Sequence, residues 1–140
     1  MKKLTGAVLD VLTSLIIPAV IFSAALSALF LFSEKWPFFN VFHFIGGASI
    51  AWMFLFIQGR WTNRGIIPSN LPAWLRDYIA FGSVAIFGIL WEFMEFVLLV
   101  KYDIAWQATL TDTINDLFLD LMGGITLIVM YRLVLLLRKR

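Results

Sequence analysis

Four apolar stretches, each long enough to cross a bilayer, occupy most of this chain and leave little choice of fold. They run from about Val8 to Phe32, Phe38 to Ile57, Tyr78 to Val100 and Thr109 to Leu136. A spanning helix needs about 20 mainly apolar residues, and in hydrocarbon only helices and closed barrels satisfy every backbone donor and acceptor. The composition agrees, with 61% apolar and 14% charged residues against about 25% charged in soluble domains. The expected architecture is all-α: an integral membrane bundle of four transmembrane helices, one domain over residues 1–140 with no soluble domain beside it. Pro18 should kink the first helix, because it removes a backbone hydrogen bond and clashes with the preceding turn. Asp10 interrupts the apolar core that a cleaved secretory signal would need, so this helix is read as retained. Thr111 or Asp112 can cap the fourth.

The cations orient the bundle. Lys2 and Lys3 precede the first run, Arg60, Arg64 and Arg76 lie between the second and third, and Arg132, Arg138, Lys139 and Arg140 follow or end the fourth. These are nine of the eleven Lys and Arg residues; the other two loops hold only Lys35 and Lys101. By the positive-inside rule both termini are expected to be cytoplasmic. Between the second and third runs, Leu71 to Tyr78 could start a short interfacial helix. Trp61, Trp74 and Tyr78 suit headgroup depth there, with Trp36, Tyr102 and Trp106 forming the opposite belt. Asp10 and Asp77 read as interfacial charges, the latter beside Arg76.

Within this frame the polar residues inside the spans are the anomaly. Asp112, Asp116 and Asp120 recur every fourth residue, drifting only about 40° around a helix at each step, so all three share one face. Glu92 and Glu95 are three apart and also share a face. Counted from the loops that hold Lys35 and Lys101, these residues and His43 lie at similar depths, in the half of the bilayer expected to be extracytoplasmic. Five of the nine acidic residues thus converge with the only histidine. Asp112 can also complement the positive end of its helix, which makes it a rim residue. Asn115 lies to one side of the aspartate row and could add an amide ligand. Gly46 and Gly47, one turn below His43, and Gly123 would let neighbouring backbones approach closely.

Carboxylates so crowded cannot all stay ionised in a low-dielectric layer without counter-charge, since desolvation and mutual repulsion both oppose it. The solutions are bound cations, shared protons or a water-filled cavity. Oxygen ligands with one imidazole suit Mg²⁺, Mn²⁺, Ca²⁺ or Zn²⁺, and intramembrane charges generally mark function. The absence of cysteine excludes disulfides and thiolate metal sites. No haem, flavin or nucleotide motif is present. The net charge of +2 comes mainly from membrane edges, so no nucleic-acid-binding stripe is expected.

His43-Phe44, Trp91-Glu92-Phe93-Met94-Glu95, Asp112-Thr113-Ile114-Asn115-Asp116 and Asp120-Leu121-Met122-Gly123-Gly124 together resemble the VanZ-like and YjdF-like small membrane proteins. Glu95 and Asp120 stand where a VanZ-like pattern has Gln and Asn, so the resemblance is closer to the YjdF-like branch. It covers helices 2 to 4, about two-thirds of the chain, supports the site and assigns no activity. The expected location is a bacterial or archaeal cytoplasmic membrane, with membrane lipids as surroundings and a homo-oligomer or larger complex as the partner. Three functions fit the residues: a metal-dependent enzyme acting on a lipid or envelope precursor, with Glu92, Glu95, Asp116, Asp120, His43 and the rim residue Asp112 around divalent metal; a proton- or cation-binding transport component; or an accessory subunit whose polar network only holds helices in register.

Overall fold

The computed structural model describes residues 2–31, 39–102 and 109–138, all in helices or short connections between them. Its elements are α1 (Lys2–Ser14), α2 (Ile16–Leu31), α3 (Phe39–Asn63), α4 (Ala73–Tyr102) and α5 (Leu110–Leu137), with no strand among the described residues. Four stretches are long and apolar enough to span a membrane: Leu4–Ala28, Asn40–Asn63, Ala73–Leu98 and Leu110–Leu137. The four expected spans are therefore present. Lys35, Trp36, Trp106, Lys139 and Arg140 lie outside the described residues.

The boundaries differ from the expected ones for physical reasons. The first span is broken at Leu15 rather than at Pro18. Pro18 has no N–H to give the carbonyl one turn earlier, that of Ser14, so the fault appears on the preceding turn. The ladder bridges it with Leu15 N–H donating to Val11 and Ala19 N–H donating to Leu15. The second span continues six residues past Ile57, to Asn63, because the end of the apolar run does not interrupt helical hydrogen bonding. The Thr62 hydroxyl also satisfies the Gln58 carbonyl at 2.7 Å. The chain then turns through Gly65, whose φ of 66° favours glycine. No separate interfacial helix follows: the residues from Ala73 onward, just after Pro72, are the first turns of α4 itself. Trp74 and Tyr78 are exposed there, as a headgroup belt requires, whereas Trp61 is half-buried. Thr109, rather than Thr111 or Asp112, caps α5, its hydroxyl accepting from the Asp112 N–H at 3.2 Å.

Surface and interior are inverted relative to a soluble protein. Large apolar side chains such as Val20, Leu90, Phe93, Val97, Phe118 and Leu133 face outward, where lipid covers them. Small residues such as Ala25, Ala28, Ala51 and Ala80 fill the interior, together with Asp10, Glu92, Glu95, Asp116 and Asp120. Because lipid is as apolar as leucine, helices here associate through close packing and polar contacts rather than by hydrophobic burial.

α3 is the hub, packing against every other helix, and α5 is its most extensive partner. The α3–α5 approach is made by glycines: a Cβ on Gly47 would collide with the backbone of Asp120, and one on Gly123 with the backbone of Phe44. α4 packs on both, and Gly124 fits under Val84. The backbone of α2 rests on those of α1 and α3, and α2 reaches α4 through the ring contact of Phe22 with Trp91.

Two ion-pair clamps hold the end of the bundle that carries the α3–α4 connection. Asp10 is 1% exposed and accepts from Arg60 Nε at 3.1 Å and from the Arg64 guanidinium, tying α1 to α3. Asp77 pairs with Arg132, at 2.6 Å from its Nη2, tying α4 to α5; Arg76 instead donates to the Ser69 carbonyl. The expectation of two interfacial charges is corrected accordingly: both aspartates are cross-braces between helices.

Asp10→Asn should lower the thermal unfolding midpoint in detergent more than Asp77→Asn, because the side chains are 1% and 27% exposed and a solvated pair contributes less. Gly47→Ala and Gly123→Ala should each destabilise the protein by at least the roughly 1–3 kcal/mol of an overpacked core. Gly82→Ala, with open space around its Cβ, should be neutral or stabilising by up to about 1 kcal/mol. Equal effects at all three glycines, measured by the same melts, would contradict the packing described.

Candidate functional site

Three helices deliver the polar cluster, one face each. His43 comes from the second turn of α3, Glu92 and Glu95 from the last third of α4, and Asp116 and Asp120 from the first half of α5. Glu92 and Glu95 are each 5% exposed, Asp116 and Asp120 each 7%. The three-residue and four-residue spacings put each pair on one helical stripe, and the glycine contact between α3 and α5 sets His43 in register with the aspartate stripe.

His43 is the centre. Its Nε2 lies 3.6 Å from Asp116 Oδ2 and its Nδ1 lies 3.5 Å from Asp120 Oδ1, so each ring nitrogen faces one aspartate. A neutral imidazole carries one N–H; it cannot donate to both carboxylates at once. Ligand atoms of His43, Glu92 and Asp116 all fall within 4.8 Å of one another, an arrangement that can hold a metal ion with one donor from each helix. No lysine or arginine belongs to this group among the described residues, and the clamps of Asp10 and Asp77 lie at the other end of the bundle.

Glu95 is held differently. The indole Nε1–H of Trp91, one turn earlier on α4, donates to Glu95 Oε1 at 2.6 Å. The Trp91 ring in turn meets the His43 ring edge-on, with centroids 6.2 Å apart. Asp120 reaches its place because two glycines leave room. Gly46 lies beside Asp120 Oδ1, and a Cβ on Gly88 would come within 2.9 Å of Oδ2.

The residues singled out by spacing thus occupy distinct places. His43, Glu92, Glu95, Asp116 and Asp120 are brought together. Asp112 is half-buried near the start of α5, and Asn115 is exposed. Gly47 and Gly123 act through packing, and Gly46 borders the cavity beside His43. Trp91 and Gly88 were not anticipated as site residues. The Trp-x-x-x-Glu spacing was a usable signal for the first, since i and i+4 side chains meet on a helix. The role of Gly88 depends on how α4 and α5 are registered, which no local pattern specifies.

A cavity of about 420 Å³ adjoins the cluster, with His43, Glu95 and Asp120 in its wall. The site therefore combines a metal-competent donor set, a carboxylate oriented by an indole, and space beside both. Comparison with curated proteins and with solved structures finds no match. A family model described as predicted membrane protein (DUF2238) matches residues 2–136, which is consistent with the YjdF-like resemblance and does not show the VanZ-like one. The match spans nearly the whole chain, and the protein belongs to this family of membrane proteins.

Proposed function

We propose that this protein is a membrane-embedded divalent-metal protein whose site opens toward the extracytoplasmic side and acts on the polar head of a lipid or envelope precursor. The observation that carries this reading is the convergence of His43, Glu92 and Asp116, from three helices, with ligand atoms within 4.8 Å. The donor set fits the cation: oxygen-rich with one imidazole, as Mg²⁺, Mn²⁺ or Zn²⁺ accept. A divalent cation would offset the charge of carboxylates held so close together.

His43, Glu92 and Asp116 would hold the ion, with Asp120 orienting His43 through its other nitrogen. A bound ion would polarise a phosphoryl or acyl oxygen, or activate water. Glu95, fixed by Trp91, is the group placed to take or return a proton. The transport reading is less well supported. Ser83 and Thr126, the hydroxyls nearer the other end of α4 and α5, donate to carbonyls of their own helices, and Gln58 donates to the Arg76 carbonyl. These groups are engaged with backbone carbonyls, and the charges of that end are paired with one another, which gives the transport reading less support.

Purified protein should contain divalent metal by elemental analysis, or gain thermal stability with Mg²⁺, Mn²⁺, Ca²⁺ or Zn²⁺. Asp116→Asn should weaken that binding at least about tenfold, the lower range found for disturbing even the outer shell of a metal site, and Asp112→Asn should weaken it less. No metal and no shift with any of the four ions would refute the reading. For the orientation, a cysteine at Lys101 should react with a membrane-impermeant thiol reagent in intact cells and one at Arg64 should not; the reverse pattern would place the site on the cytoplasmic side.

A further inference from the structure

The cavity beside the cluster has a shape and a wall that the metal reading alone does not explain. It lies between α2 and α4 over the surface of α3. The backbones of those two helices stay apart, which leaves a cleft between them. Phe22 of α2 and Trp91 of α4 meet across it with ring centroids 5.0 Å apart. Apart from the end formed by His43, Glu95 and Asp120, the wall is almost wholly apolar: Ile21, Phe22, Ile50, Phe87 and Met94 are representative. Its exposed wall residues are apolar, Phe22 40% and Phe87 41% exposed, so the cleft is reached from the surface that lipid covers. A water-soluble molecule would have to cross hydrocarbon to enter by this route, whereas a lipid already resides there.

We propose that this cavity receives one hydrocarbon chain of a membrane phospholipid, with the phosphate of its head at the end formed by His43, Glu95 and Asp120. The volume of about 420 Å³ takes roughly fourteen groups of about 30 Å³, the share of one water molecule in the liquid. That suits a single acyl chain and excludes two. The placement of the head rests on the metal reading above: the cavity wall contains no lysine or arginine, so a divalent ion is what draws an anionic head to a carboxylate-lined end. The substrate class of the site is then a phospholipid entering laterally, chain first, between α2 and α4.

The test uses the full-length protein in phosphatidylethanolamine vesicles that contain phosphatidylglycerol bearing a diazirine midway along one acyl chain. After photolysis, mass spectrometry maps the adducts, and elemental analysis of the same preparation reports metal. Adducts should be several-fold more frequent on Phe22, Phe87 and Met94 than on the outward-facing Ile86 and Phe93. Ala19→Trp, at an exposed position on the α2 edge of the cavity, should reduce the cavity adducts several-fold. The distribution in the unaltered protein decides the matter even if that variant folds poorly. Cavity adducts on metal-free protein would uphold the chain site and overturn the metal reading alone. Metal-loaded protein with adducts spread evenly over cavity and outward residues would overturn the chain site and leave the metal reading standing.

Discussion

The contact between the backbones of α3 and α5 is the constraint on which the rest of this molecule depends. Gly47 lies against Asp120 and Gly123 against Phe44, so the two helices come closer than any side chain beyond hydrogen allows. In lipid there is little hydrophobic gain from bringing helices together, and small residues supply the van der Waals contact instead. The same contact sets register. With Gly47 on Asp120, His43 one turn earlier on α3 necessarily stands between Asp116 and Asp120, one aspartate to each ring nitrogen. Packing and site geometry are therefore one feature, and a methyl group at either glycine would displace both.

Charge is distributed with equal economy along the bundle. At one end every buried or half-buried carboxylate has a guanidinium: Asp10 has Arg60 and Arg64, and Asp77 has Arg132. At the other end four buried carboxylates gather about a single imidazole, with no lysine or arginine among them in the described residues. Isolated charges in low dielectric are unfavourable unless paired or coordinated; the first set is paired by guanidinium groups, and for the second the proposed partner is a divalent ion. The adjoining apolar cavity between α2 and α4 is the proposed route to the same place from the lipid phase.

Much of this was legible in the residues, and the reasons for the gaps are specific. The four spans were readable because hydrocarbon thickness imposes a length, and five site residues were readable because helical spacing and depth are both arithmetic on sequence position. The break at Leu15 was placed at Pro18 because a proline's missing donor is felt one turn upstream of the ring. The end of α3 was set too early because apolarity ends at Ile57 while helical hydrogen bonding does not. Asp10 and Asp77 looked like interfacial charges, since their partners lie about 50 residues away and only tertiary packing reveals them. Gly88 escaped notice for the same reason: its value lies in the space it leaves for Asp120.

The central claim is that His43 and the carboxylates around it hold a divalent cation. Pulsed electron paramagnetic resonance on protein given one equivalent of Mn²⁺ tests it directly, since a directly bonded imidazole nitrogen modulates the echo. The account predicts nitrogen coupling in the unaltered protein and its loss in His43→Gln, with the cation still present. A spectrum of freely hydrated Mn²⁺, or nitrogen coupling that persists in His43→Gln, would contradict it.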